Sequence, residues 1–95
     1  KFPIGIFIGE ELKSFTNHQF QFQKGDTLYL FTDGFADQFG GPKGKKFKYN
    51  QFKITLLQMQ HLPMHAQREQ LLNTLKSWQG ENEQVDDILV IGIRL

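Results

Sequence analysis

Apolar and polar positions change period several times along this chain. Ile4, Ile6 and Ile8 alternate with Gly5 and Phe7, the two-residue period of a strand. Phe20 and Phe22 alternate with Gln19, Gln21 and Gln23 and predict a second strand. Gln23-Lys24-Gly25-Asp26 reads as a tight turn in which Gly25 is free to take a positive φ. Residues 27–32 form a third strand and close a hairpin with the second. This run is apolar on both faces, which predicts burial in the middle of a layered fold.

The period then lengthens. Residues 40–46 form a loop by their glycine and proline content. Tyr49, Phe52, Leu56 and Met59 fall on one helical face, with Leu57 beside them. Pro63 ends that helix. Leu71, Leu72, Leu75 and Trp78 form the apolar stripe of a second helix, and Gly80 is its stop. Residues 81–84 are a polar connection. Residues 88–95 are a last strand, apolar almost throughout and therefore predicted to be central. Strands, two helices and a strand define an α+β fold, an antiparallel sheet with two helices packed on one face. Strands apolar on both faces need cover on both. The second cover is expected from a missing half of the domain, a second copy of the chain or a swapped element.

Composition narrows the function classes. The chain has 95 residues, one domain or part of one, and ten phenylalanines that can build a core. A formal net charge of +1 gives no bulk case for nucleic acid or an anionic membrane. No apolar segment is long enough to span a bilayer, so no direct membrane contact is expected. The chain has no cysteine, which excludes disulfides, thiolate metal sites and a thiol nucleophile. A cytoplasmic location is expected. A first residue other than methionine and a last residue inside an apolar run give the expectation of a fragment of a longer protein.

The chemistry concentrates in aspartates. An apolar run ends in Asp33-Gly34, and Asp86-Asp87 precede another apolar run. If the two runs pair antiparallel, the end of the first meets the start of the second, and Asp33, Asp86 and Asp87 share one rim. Like charges at close range repel, so such a rim fits a hard divalent cation, magnesium or manganese, held by carboxylate oxygens. The competing reading is that Asp33 caps a short helix at residues 34–39 and that Asp86 and Asp87 are solvated turn residues. The residues alone leave both open. Asp37 reads as an exposed helix charge or a supporting group, and Asp26 as a turn residue. His18, His61 and His65 share no metal-ligand spacing, and Pro63 keeps the last two off one regular helical face. Lys43, Lys45, Lys46 and Lys48 interleave with Phe47 and Tyr49. They read as a solvated loop with aromatics entering the core, as a point-charge receiver of a phosphorylated protein, or as a nucleic-acid contact.

At these residues the chain resembles a known family. Residues 25–37, Gly-Asp-Thr-Leu-Tyr-Leu-Phe-Thr-Asp-Gly-Phe-Ala-Asp, resemble the "GDxLxLxTDGxxE" segment of metal-dependent serine/threonine protein phosphatases, the protein phosphatase 2C-like enzymes. The match is closest to the bacterial SpoIIE-like branch. Val85-Asp86-Asp87-Ile88-Leu89-Val90 resembles that branch's closing strand, although Leu89 stands where relatives carry Thr. Pro3-Ile4-Gly5 looks like its "PLG" strand. The loop at residues 40–47 resembles that of a subgroup ending large sensor proteins.

The resemblance implies half of an αββα sandwich and identifies the chain as a C-terminal partial domain over residues 1–95. It implies that Asp33 and Asp86 are metal ligands, with Gly34 and Asp87 supporting and no protein nucleophile. Lys43, Lys45 and Lys46 become candidate substrate contacts. The implied chemistry is attack of a metal-activated water on phosphoserine or phosphothreonine. The implied partners are a phosphorylated regulatory protein of the anti-sigma-factor antagonist type and an upstream sensor domain, in a parent open to membrane tethering. The family's upstream aspartate that bridges two metals has no counterpart here, so the piece alone is expected to be inactive. The alternative is a non-catalytic interaction module that associates through its uncovered sheet face, as a homodimer or with another chain.

Overall fold

The computed structural model describes residues 24–95 in full and residues 4–8 and 11–14 as strand backbone. The described elements run β1 (Ile4–Ile8), β2 (Glu11–Ser14), β3 (Thr27–Thr32), α1 (Gly34–Asp37), β4 (Phe39–Gly40), β5 (Lys45–Lys46), α2 (Tyr49–Gln58), α3 (Met64–Gln79) and β6 (Val90–Arg94). Four strands form an antiparallel sheet in the order β2-β1-β3-β6, and β4 and β5 form a small hairpin. The fold is α+β, as the periods predict. The predicted strand around Phe20 and Phe22, its hairpin with β3, and His18 lie outside the described residues.

β3 organises the sheet because its side chains alternate cleanly. Thr27, Tyr29 and Phe31 are buried, whereas Leu28, Leu30 and Thr32 are only partly covered. The buried face meets the helices. The Phe31 ring lies 5.0 Å from Phe52, edge-on, and Phe52 lies 4.9 Å from Phe35. Phe47 bridges Phe35 at 5.3 Å and Trp78 at 5.5 Å. Leu56 and Met59 complete this core. Each such aromatic pair contributes about 0.5–1.5 kcal/mol beyond its area burial.

Among the described residues, the other face of β3 and β6 is partly open. Ile93 and Ile91, the register partners of Leu28 and Leu30, are 41% and 42% exposed. The expectation of a central last strand is corrected here: β6 stands at the edge of the described sheet. The apolar run is continuous because both faces of β6 are apolar, not because strands flank it on both sides. Regular pairing also starts at Val90 rather than Ile88. β2 carried no periodic signal, since Glu11-Leu-Lys-Ser offers one apolar residue, and a short polar strand is common at a sheet edge.

The helices match their patterns except at Tyr49, Leu72 and Gln67. α2 buries Phe52, Thr55 and Leu56, while Tyr49 is half exposed. In α3, Leu71, Leu75 and Trp78 pack against the core, but Leu72 is 42% exposed and Gln67 is the fully buried residue. Gln67 is buried because it has partners. The Tyr29 hydroxyl donates to Gln67 Oε1 and accepts from Gln60 Nε2 at 3.0 Å. Gln67 Nε2 donates to the Leu62 carbonyl at 2.9 Å. Arg94 Nη2 donates to the Gln60 carbonyl at 2.7 Å and the Leu62 carbonyl at 3.1 Å. The network ties the α2–α3 corner to one end of the sheet. Gly25, φ +95°, turns the chain at that end, and its N–H donates to the Leu95 carbonyl at 2.7 Å.

Burial, opposed by hydrogen bonds from Gln60 and Gln67 and by the Arg94 charge, pushes the Tyr29 phenol above its ordinary range. The folded state therefore favours the neutral phenol. That preference is complete below the unfolded pKa of about 10 and is lost as pH rises through the folded value. Tyr29→Phe is expected to cost about 1–3 kcal/mol, because it takes the hydroxyl donor away from the buried Gln67 Oε1. It should also flatten the fall in stability as pH rises above the unfolded phenol value of about 10. Denaturant unfolding across that pH range checks both expectations.

Candidate functional site

Antiparallel pairing of β3 with β6 puts the end of one strand beside the start of the other. Thr27 pairs with Arg94 at one end, and Phe31 with Val90 at the other. The pairing runs on through Thr32, whose N–H donates to the Leu89 carbonyl at 3.1 Å. Asp33 leaves β3 at this end, and the segment carrying Asp86 and Asp87 enters β6 from it. The two acidic segments that the sequence sets far apart are thus brought to one rim.

Asp33 precedes α1 but does not cap it: its carboxyl makes no side-chain cap hydrogen bond. The capping half of the competing reading is therefore not realised, whereas Asp86 and Asp87 are exposed in an irregular segment, as its other half expects. Partial burial raises the Asp33 carboxyl above its ordinary range, and the charges of Asp37 and Asp86 raise it further. Asp86 and Asp87 are exposed. The Asp87 N–H donates to Asp86 Oδ1 at 2.8 Å, which orients that carboxylate across its own turn. Asp37 pairs with Lys46 at 3.7 Å, both partly exposed.

Gly34 is required for the approach of the two segments. A Cβ there would lie 2.1 Å from the Asp87 carbonyl oxygen and 2.9 Å from the Ile88 side chain. Lys46 alone of the three candidate lysines is drawn to the rim, through Asp37. Lys43 and Lys45 stand exposed on the β4–β5 hairpin. The hairpin is anchored by Gly41 N–H to the Trp78 carbonyl at 2.9 Å and Trp78 Nε1–H to the Gln38 carbonyl at 2.8 Å. Phe47 enters the core, as the solvated-loop reading expects, whereas Tyr49 remains half exposed. His61 and His65 are exposed. His61 lies in the α2–α3 corner, at the Arg94 end of the sheet, away from the aspartates.

The donor types suit a hard cation: carboxylates at one end of the strand pair, with Asp33 making no cap hydrogen bond and held above its ordinary range by partial burial and then by the charges of Asp37 and Asp86. Among the described residues no three histidine, aspartate or glutamate side chains are close enough to hold a metal. Sequence reasoning missed Thr32, whose hydroxyl binds the acidic segment, and Gln38, which donates to the Glu83 carbonyl at 2.9 Å. The Thr-Asp-Gly string marks Thr32. Nothing in the sequence marks Gln38.

Sheet, helices and rim define half of a protein phosphatase 2C-like domain. Residues 1–95 match the family model of Stage II sporulation protein E (SpoIIE), and the chain belongs to that family. It is similar to the solved SiaA-PP2C domain of Pseudomonas aeruginosa, with 30% identity and a TM-score of 0.81. That match covers 97% of this chain and 43% of the SiaA chain, so the sequence spans less than half of it. No curated protein matches significantly.

Two outcomes are expected. Gly34→Ala forces the Asp87 backbone away and should cost about 1–3 kcal/mol, the range for overpacking, read from the denaturant midpoint. Asp33→Asn in cation-free protein should raise the thermal midpoint at pH 7 by a few degrees, since exposed charge pairs contribute about 1 kcal/mol or less. Its sign follows from the raised carboxyl. The ionised form is penalised in the folded state, and below an unfolded pKa of about 3.9 both states are neutral. The gain should therefore vanish near pH 3, measured by thermal melts with chelator present.

Proposed function

We propose that this chain is the C-terminal part of a metal-dependent phosphoserine and phosphothreonine protein phosphatase domain in a bacterial signalling protein. The observation that carries the proposal is the meeting of Asp33 and Asp86 at one end of the β3–β6 pair, with the Asp33 carboxyl uncapped and raised by partial burial and then by the charges of Asp37 and Asp86. Membership of the SpoIIE family and the likeness to the SiaA-PP2C domain support the same reading.

Asp33 and Asp86 are the residues that would hold magnesium or manganese, with Gly34 and Asp87 shaping the approach. When bound, such a cation lowers the pKa of water and shields phosphate charge. Lys46, tethered beside Asp37, brings a positive point charge to the rim, and Lys43 and Lys45 extend it along the hairpin toward an incoming phosphoprotein. The substrate proposed is a phosphorylated regulatory protein of the anti-sigma-factor antagonist type. The parent carries a sensor domain upstream and works in the cytoplasm, either free or tethered through a segment outside this sequence.

The open apolar face of Leu28, Leu30, Ile91 and Ile93 supports the partial-domain reading, because a second layer must cover it. It equally favours a second reading, a module that associates through this face without catalysis.

In the intact protein, Asp33→Asn or Asp86→Asn should lower manganese-dependent hydrolysis of a phosphoserine peptide by roughly 100-fold or more. That exceeds the 10–100-fold typical of residues supporting a metal from outside its ligand set. Calorimetry should show manganese heat for the wild type and little for Asp33→Asn. Equal heats for both would favour the interaction module. The isolated 95 residues should be nearly inactive.

A further inference from the structure

Regular pairing between β3 and β6 ends at Phe31 and Val90. Beyond it the two acidic segments need some other restraint. Residues 82–89 have no helix or strand, and Asp86 and Asp87 are exposed. Thr32 supplies a bridge. Its hydroxyl donates to the Asp87 carbonyl at 2.9 Å and accepts from the Leu89 N–H at 3.1 Å. Its own N–H donates to the Leu89 carbonyl at 3.1 Å. The hydroxyl thus uses its donor and an acceptor on the residues either side of Ile88, and Thr32 is the covalent neighbour of Asp33. Gly34, on the other side of Asp33, lies against the same Asp87 carbonyl.

We propose that Thr32 is the positioning residue of the cation site: its hydroxyl fixes the spacing between Asp33, just past the end of β3, and Asp86 on the entering segment. This inference rests on the cation-binding reading of those aspartates. A valine has the same shape but neither donor nor acceptor, so it leaves the two aspartate segments joined only by backbone bonds. A serine keeps the hydroxyl and the restraint.

The test uses the intact protein. Manganese affinity is measured by calorimetry, metal-free stability by denaturant unfolding, and hydrolysis of a phosphoserine peptide across a manganese titration. Thr32→Val should weaken manganese binding about 10-fold, the scale of a support outside the ligand set. Saturating manganese should restore most of kcat, and Thr32→Ser should behave as wild type. Thr32→Val that loses stability while keeping wild-type manganese affinity would overturn the proposal and leave Thr32 a structural residue. So would Thr32→Ser as weak as Thr32→Val.

Should Thr32→Val fail to fold, amide exchange of the wild type decides. Magnesium should slow exchange at Leu89 and leave Phe52 unchanged, and an unchanged Leu89 amide would overturn the inference. Asp33→Asn separates the two levels. Loss of manganese binding in Asp33→Asn with none in Thr32→Val defeats the positioning role alone. No loss in either defeats the cation site itself.

Discussion

The antiparallel register between β3 and β6 is the constraint on which the molecule depends. It pairs Phe31 with Val90, and the alternation of side chains then follows along both strands. A slip of one residue would turn Tyr29 and Phe31 outward and remove the partners of Phe52, Leu56 and Met59. It would also move Leu89 away from Thr32. One register therefore fixes the aromatic core and the acidic rim together.

The two ends of that strand pair do different work. At the Thr27 end, Tyr29, Gln60, Gln67 and Arg94 form a polar lattice in which each buried group has a partner. Buried polar groups need such partners, and satisfied networks specify a single arrangement. At the Asp33 end the polarity is left unbalanced. The charges of Asp37 and Asp86 act on Asp33, with Lys46 on Asp37 the ion pair there among the described residues. Stability is concentrated at one end and unspent electrostatic potential at the other.

The sheet's second face shows the same incompleteness at a larger scale. Leu28 and Leu30 are half covered, and Ile91 and Ile93 stand open. The match over 43% of the SiaA-PP2C chain is in keeping with a sequence that supplies one layer of helices and one sheet. The further layer that would bury those residues has no counterpart among the described elements.

Much of this was written in local pattern. The six residues of β3, both long helices, the stop at Gly80 and the positive φ of Gly25 follow from period and turn chemistry, because each depends on neighbours within a few positions. The rim was legible as a conditional: Asp33 and Asp86 meet if two apolar runs pair antiparallel. The place of β6 at an edge was not legible, since an apolar run reports what its faces bury and not how many strands flank it. Gln67, Gln38 and the Thr32 hydroxyl escaped for a related reason. A polar side chain becomes buried, or becomes a bridge, only when its partner arrives from 38, 45 or 55 residues away. Sequence alone determined which segments are strands and helices and which residue types could grip a cation. Tertiary pairing decided which of those residues meet, because separations that long are closed by the sheet and not by the local chain.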